Sequence, residues 1–434
     1  MAFMGMRGTG DWVANQVPES WREGILREYP NGMAPLTAIM SKMGSRKIDS
    51  YKIHWWEKML PLQRATVTDI YIDATLITPY VYATHAGTIG IDGGTVYVRM
   101  SAADVSQFIP GSLVSLRTTG YPNVINVGIV TSVMVNGADS NLAVRLRMAD
   151  AGDATSGLQA ATLAFVVGSA FSEGAGIPQG LNYDVTEMEN QTMISRNAIS
   201  MTRTAMLTKL RTGDALAEAR REALELHSIE LEKALIWSVP GSDVGPNGEP
   251  RRTLRGLVSA IQTYAPANVL SYHLDADYTG QTWLESGETW LDATLEALFR
   301  YGEPEKLAIC GSGALLGIQR LAKANGQFTF TSKTVSYGIK VVEWVTPFGT
   351  IYLKTHPLFS HEAVNRNAIM LLEPKQLQFC YITDTTLRED KNWKLGGAGS
   401  IDGMLEDYLT EWTIEFHHIN RFGILLGVGL DSAL

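Results

Sequence analysis

The sequence predicts an α+β chain organised around one long amphipathic helix, with a block of short strands inserted ahead of it. Three observations predict this. Residues 212–239 (TGDALAEARREALELHSIELEKALIWSV) carry the longest uninterrupted helix signal. Residues 87–168 are dense in Val and Thr, are punctuated by Gly and Asn turns, and contain no Lys. Residues 408–418 alternate apolar and polar side chains, the period of a strand with one covered face.

The long helix has clear ends. Asp214 or Thr212 caps its start, Glu218 sits in the first turn, and Pro240-Gly241 stops it. From Asp214 to Trp237 it is a rod roughly 36 Å long. Leu216, Ala219, Ala223, Leu226, Ala234 and Trp237 share one broad side, with Leu224, Leu231 and Leu235 beside them. Glu218, Arg221, Glu222, Glu225, Glu232 and Lys233 fall opposite, which predicts a helix laid across a body. Arg220, His227 and Glu230 interrupt the apolar side. They either reach solvent at its edge or make ion pairs with another subunit, which makes them candidate inter-subunit contacts.

Bulk properties bound the function. The chain has 434 residues, is 45% apolar and 19% charged, and so can bury a large core as two or three domains. Neither an 18-residue apolar run nor a leader pattern occurs. The net charge is −9 without a basic tail, which argues against a charged groove for nucleic acid. The only cysteines, Cys310 and Cys380, lie in apolar strand-like runs. Reduced, buried thiols in a protein made in cytoplasm are expected, with a disulfide as the less favoured alternative.

In chain order, residues 1–52 hold Pro18, Pro30 and Pro35 yet also Trp12, Trp21, Ile25 and Leu36. An extended segment so apolar is expected to pack on the main body or on a neighbouring subunit. The strand expected at 52–60 places Trp55 and Trp56 on opposite faces. Trp12, Trp21, Trp55 and Trp56 join the candidate inter-subunit contacts. Strands are predicted at 95–100, 113–117, 124–135, 143–148 and 163–167, separated by turns such as IPGS (109–112) and NGADSN (136–141). That spacing predicts a small β-barrel inserted into an otherwise extended excursion. A strand at 190–202 leads into the long helix. Helices follow at 253–264, 289–301 and after Cys310 to Asn325. Gly302 closes the second of these. Further strands are expected at 306–310, 339–345, 351–354, 369–372 and 377–382.

No catalytic, cofactor or metal site is expected. Gly311–Gly317 (GSGALLG) follows a strand and opens a helix as a dinucleotide site does, and Glu343 lies late in the next strand. The spacing is GxGxxxG, however, and no further βαβ units follow, so a tight strand-to-helix turn is the better reading. His356 and His361 read as surface imidazoles on a turn. CxxC, HExxH, GxSxG and Walker A patterns are absent from the sequence.

The order of parts carries more than any motif. The sequence resembles the major capsid proteins of tailed bacteriophages with the HK97 fold, locally the SU10-type major head protein family. The residues that carry the likeness are Pro35-Leu36, His54-Trp55-Trp56-Glu57, Glu189-Asn190-Gln191, the run 200–205 (SMTRTA), the run 229–236 (IELEKALI) and Thr253-Leu254-Arg255-Gly256-Leu257. The resemblance implies an N-terminal arm (1–52), an E-loop (53–86 and 169–187) holding the inserted barrel (87–168), a P-domain with the spine helix (188–249 and 370–425), an A-domain (250–369) and a C-terminal tail (426–434). It implies a subunit that self-assembles through hexamers and pentamers into an icosahedral shell around double-stranded DNA, in virions assembled in the bacterial cytoplasm. Its implied partners are copies of itself, scaffolding and portal proteins, and cement or decoration proteins. DNA would be enclosed without sequence-specific binding, and no membrane is involved. A cellular nanocompartment shell of the same fold is the alternative, with a dinucleotide-binding enzyme using Gly311–Gly317 behind it. Some shells of this fold weld subunits through a Lys in the E-loop. Here no Lys lies between Lys58 and Lys209, so non-covalent contacts are expected.

Overall fold

A computed structural model describes residues 44–58, 63–118, 126–147, 157–178, 180–208, 214–325, 331–334, 340–389 and 402–434. It divides into two compact units, one running Trp56–Thr186 and one made of the chain on either side.

The Trp56–Thr186 unit is one seven-stranded sheet. Its order is Arg64–Thr66, Leu163–Ser169, Ser112–Arg117, Val127–Met134, Asn141–Arg147, Thr95–Arg99, Asp69–Tyr71. Every neighbouring pair is antiparallel. The strands form because β-branched and aliphatic residues alternate with polar ones, and each strand sends alternate side chains to one core. Val96 and Val98, Val114 and Leu116, and Leu142, Val144 and Leu146 are fully buried there. The first and last strands of the sheet are nearly consecutive in sequence. Only Val67 and Thr68 separate them, and the amides of those residues bond the carbonyls of Thr162 at 2.8 Å and Arg99 at 2.9 Å. One short run of chain therefore borders both ends of the sheet. The unit also reaches further than the expected 87–168. Its edge strands come from residues 64–71, inside the stretch read as E-loop, so excising 87–168 would strip those strands of their partners.

The second unit is built on the helix Ala215–Trp237. The Asp214 carboxylate accepts from the Leu216 amide at 2.9 Å, which satisfies one of the free N–H groups of the first turn. A four-stranded sheet accompanies it, in the order Ser45–Lys47, Leu377–Glu389, Gly403–Phe416, Met193–Thr202. The first pair is parallel and the others antiparallel. Segments from both ends of the sequence thus meet beside one helix. A seven-stranded mixed sheet follows, in the order Val269–Ser271, Gly423–Leu426, Ile369–Leu372, Glu305–Cys310, Gly349–Thr355, Lys340–Thr346, Thr331–Thr334. Helices Leu257–Tyr264, Trp283–Phe299 and Ser312–Asn325 belong to this half of the unit. Trp283–Phe299 begins earlier than residue 289 because Thr282 and Glu285 form a reciprocal capping box. Gly302 follows its end at φ +95°, a conformation that favours glycine. Cys310 and Cys380 are free and buried, and burial pushes both thiols up to about 12.

Two expectations fail here. The strand Gly403–Phe416 does not have a wet face: it runs between two others, and Thr413 is 0% exposed. Glu415, on the same face, is buried and meets Arg46 at 3.3 Å. The helix is also rotated from its expected register. Leu226 is 58% and Leu224 40% exposed, whereas Ala223, His227, Leu231, Glu232, Leu235 and Ile236 are buried. Apolarity alone assigned the face wrongly because a His and a Glu with partners are turned inward.

Candidate assembly surfaces

The inner face of the long helix is held by polar contacts. Arg220 Nε donates to Glu406 Oε2 at 2.6 Å, and a second guanidinium nitrogen reaches the other carboxylate oxygen. This is the two-pronged geometry that guanidinium favours. Seven residues on, two helical turns, His227 is fully buried. Its Nδ1 lies 2.6 Å from Asn197 Oδ1 and its Nε2 2.7 Å from Thr410 Oγ1. With Nδ1 donating to the amide oxygen, Nε2 accepts from the Thr410 hydroxyl, which in turn lies 2.8 Å from Thr385 Oγ1. Burial pushes the imidazole pKa below its ordinary value, against the weaker opposing pull of Glu230 and Asp407. Asp407 is pushed up by burial, but Arg388 and Arg196 at 3.0 and 2.6 Å hold it below the usual carboxylate range.

These positions correct part of the sequence reading. Arg220 and His227 bind the chain's own sheet, because Glu406, Asn197 and Thr410 lie opposite them in the fold. Trp55 is 6% exposed and sits edge-on to Phe416 with ring centroids 4.9 Å apart, so it is a core residue. Trp56, on the other face of the same strand, is 64% exposed, and Glu230 is exposed. Trp12 and Trp21 lie outside the described residues. Of the five candidates among the described residues, Trp56 and Glu230 are exposed.

Two further polar clusters escaped the sequence reading. Glu232, expected on the solvated face, is buried with its Oε1 2.6 Å from Nε2 of His356. His356 is not a surface imidazole: it is buried, and its Nδ1 caps the Leu358 amide at 3.1 Å. Lys306 is also buried. Its Nζ donates to Glu373 Oε1 at 2.7 Å and to the Arg421 carbonyl at 2.9 Å. Burial pulls the ammonium pKa down, opposed by Glu373. Glu373 also accepts from the Glu303 amide at 3.0 Å and meets Arg421 at 3.4 Å. A Cβ at Gly302 would stand 1.9 Å from that carboxylate, so this glycine makes room for the cluster. No local signal marks these residues, since 124 and 67 positions separate the two pairs.

The Gly311–Gly317 turn is closed by its own fold. The Ser312 amide donates to Ser360 Oγ at 3.2 Å and the Ala314 amide to the Arg366 carbonyl at 3.1 Å. A Cβ at Gly311 would meet the Arg366 backbone at 2.2 Å. The glycines therefore allow the 366–367 backbone to lie against the turn, where a dinucleotide would need the amides free. Among the described residues, no three His, Cys, Asp or Glu are grouped to hold a metal ion, and no helix is long and apolar enough to cross a membrane.

Comparison with known proteins agrees with an assembly role. The model of the SU10 major capsid protein family matches residues 7–429. The major capsid protein of Pseudomonas phage PaMx41 is 24% identical over 422 residues, covering 94% of this chain and 91% of that protein. Among solved structures, one of Mycobacterium phage Bobi is similar at 10% identity and a TM-score of 0.46, covering 96% of this chain and 98% of that one. The holo-SrpI encapsulin complex of Synechococcus elongatus PCC 7942 is similar at 12% identity and a TM-score of 0.40, covering 58% and 79%. The family match spans nearly the whole chain, and it carries the assignment. The chain belongs to the SU10 major capsid protein family.

Proposed function

We propose that this phage major capsid protein builds its shell through hexamers and pentamers, as an icosahedral head enclosing double-stranded DNA. The subunit is arranged in the HK97 manner. Residues 1–52 are the arm, 188–249 and 370–425 the P-domain around the spine helix, and 250–369 the A-domain. The Trp56–Thr186 unit is read as the E-loop with its inserted barrel. That its sheet begins and ends on one run of chain, 64–71, supports a barrel. The role is structural and not catalytic. Assembly takes place in the bacterial cytoplasm, with scaffolding, portal and cement or decoration proteins as partners.

The observation that carries this reading is the meeting of segments 45–47, 193–202, 377–389 and 403–416 in one sheet beside the 215–237 helix. A rigid body fixed by strands from both ends of the chain leaves other segments free to reach neighbouring copies. Identical subunits then close a shell through many weak, repeated contacts. The net charge of −9 suits a container that does not grip its DNA. Electron microscopy of the expressed protein, alone and with its scaffold, is expected to show shells or capsomers. A compact monomer at every salt and protein concentration would overturn the reading.

A further inference from the structure

The face of the Trp56–Thr186 sheet that turns away from the core carries a row of arginines. Alternate side chains of each strand enter the core, and the intervening ones form this face. On it Arg64 pairs across strands with Phe165, and Phe165 with Ser115. The Arg117 guanidinium stacks over the Phe165 ring at 4.2 Å, and its Nε donates to Ser115 Oγ at 3.1 Å. Further along, Leu113 pairs with Ile129, Ile129 with Arg145, and Val127 with Arg147. Arg147 has a carboxylate at 4.0 Å, Asp92, and Arg99 has one at 3.8 Å, Asp139. Among the described residues, Arg64, Arg117 and Arg145 have no carboxylate within ion-pair distance. Arg64 and Arg145 lie four strands apart in the order of the sheet. Between them lie half-buried Leu113, Val127, Ile129 and Phe165.

We propose that this face seats a carboxylate-bearing surface of a second copy of the chain. The inference rests on the shell reading and names one of its contacts. Charge complementarity argues for it. Each copy carries 45 Asp and Glu against 36 Lys and Arg, so copies repel unless a cationic face meets an acidic one. Arginine suits that role because its planar fork takes a carboxylate two-pronged and stacks on aromatic rings. Nucleic acid fits less well: three arginines without a carboxylate partner among the described residues fall short of the about 6–10 phosphate contacts of a firm grip.

The test uses the absence of Lys between Lys58 and Lys209. Arg64→Lys and Arg145→Lys place amines on this face; Lys58 is the native lysine nearest to the first, and the second lies deep inside the lysine-free stretch. Particles assembled from a mixture of nitrogen-15-labelled and unlabelled subunits are treated with a carbodiimide, which joins an amine to a touching carboxylate. Mass spectrometry is expected to find peptides linking position 64 or 145 to an Asp or Glu peptide of the other isotope. Separately, Arg64→Glu combined with Arg145→Glu is expected to melt like the unsubstituted protein but to need about tenfold more protein to form shells. The docking is overturned by links of one isotope only, by links to a different protein, by no links, or by the charge-reversed variant assembling at the unsubstituted concentration. Failure of the unsubstituted protein to form shells overturns the shell reading itself and is seen without any variant.

Discussion

The two units solve burial differently. The seven-stranded sheet of the Trp56–Thr186 unit fills its core mainly with aliphatic side chains, and the buried polar residues of its strands are small and neutral, such as Ser112, Ser115 and Asn141; Glu57, buried at the start of the unit, lies outside that sheet. The unit around the long helix also has a large apolar core, but it buries Glu232, Lys306, His356, Glu373, Glu406 and Glu415 as well. Buried charge contributes little net stability compared with apolar packing of the same volume, yet it penalises any arrangement that leaves a partner unmatched. A subunit whose helix must hold one register against sheets drawn from distant parts of the chain gains from that penalty. A sheet whose register is set by alternation needs it less, even where its neighbouring strands come from distant parts of the chain.

The contrast can be broken at its strongest point. Lys306→Met leaves Glu373 buried with only Arg421 and the Glu303 amide, and is expected to cost about 3–5 kcal/mol. Adding Glu373→Leu is expected to recover much of that loss, because both desolvated charges then leave together. Denaturant unfolding of the two singles and the double measures this. A double mutant that loses the sum of the two singles would show that the pair is not coupled.

In the other unit the corresponding experiment is a cavity. Leu146→Ala, at a fully buried position, is expected to cost about 2–5 kcal/mol through lost transfer energy and the void left behind. The cost should not change between acid and neutral pH, since no titratable group belongs to that core cluster apart from the Tyr80 phenol. A strong pH dependence of the loss would contradict the division between the two cores.

The helix unit is expected to respond to pH through His227. Its folded pKa is depressed by burial, and its unfolded value is about 6.5. Below that value the unfolded chain takes up a proton that the folded chain refuses. Unfolding is therefore favoured as pH falls, and stability rises with pH across the window just below about 6.5. Glu230 and Asp407 pull the other way, and Arg220 and Tyr408 also face this seam. His227→Gln keeps hydrogen-bonding groups near Asn197 and Thr410 and removes the titration. Melting curves on either side of that window should show a smaller pH dependence in the variant. An unchanged dependence would assign it to other groups.

The same contrast explains what could be read from the sequence. Strands 95–99, 112–117 and 163–169 stood out because alternation and turn residues mark each of them locally, wherever in the chain its partner lies. The helix and its caps were legible from Asp214, Glu218 and Pro240. The packing of Glu232 and His356 was not, because nothing near either residue announces a partner 124 positions away. Charged residues on a helix read as solvated until that partner is seen. Trp55 and Trp56 show the limit within one strand: their opposite faces followed from the period of two, but which face is covered is decided by Phe416, far along the chain.

The smallest expected effect lies on the long helix. Leu224 belongs to the apolar side by sequence, and Leu224→Asp would then place an unpaired carboxylate in the core at a cost of several kcal/mol. The structure leaves Leu224 40% exposed. An aspartate there keeps its water and gives up only part of the leucine burial and a little helix propensity, together less than about 1 kcal/mol. The melting temperature of the isolated subunit should barely move. If shells then form poorly, Leu224 lies in an inter-subunit contact. If they form normally, the exposed leucine is one of the solitary apolar residues that folded surfaces carry. A cooperative loss of stability in the isolated subunit would instead return Leu224 to the core and restore the face that apolarity alone assigned.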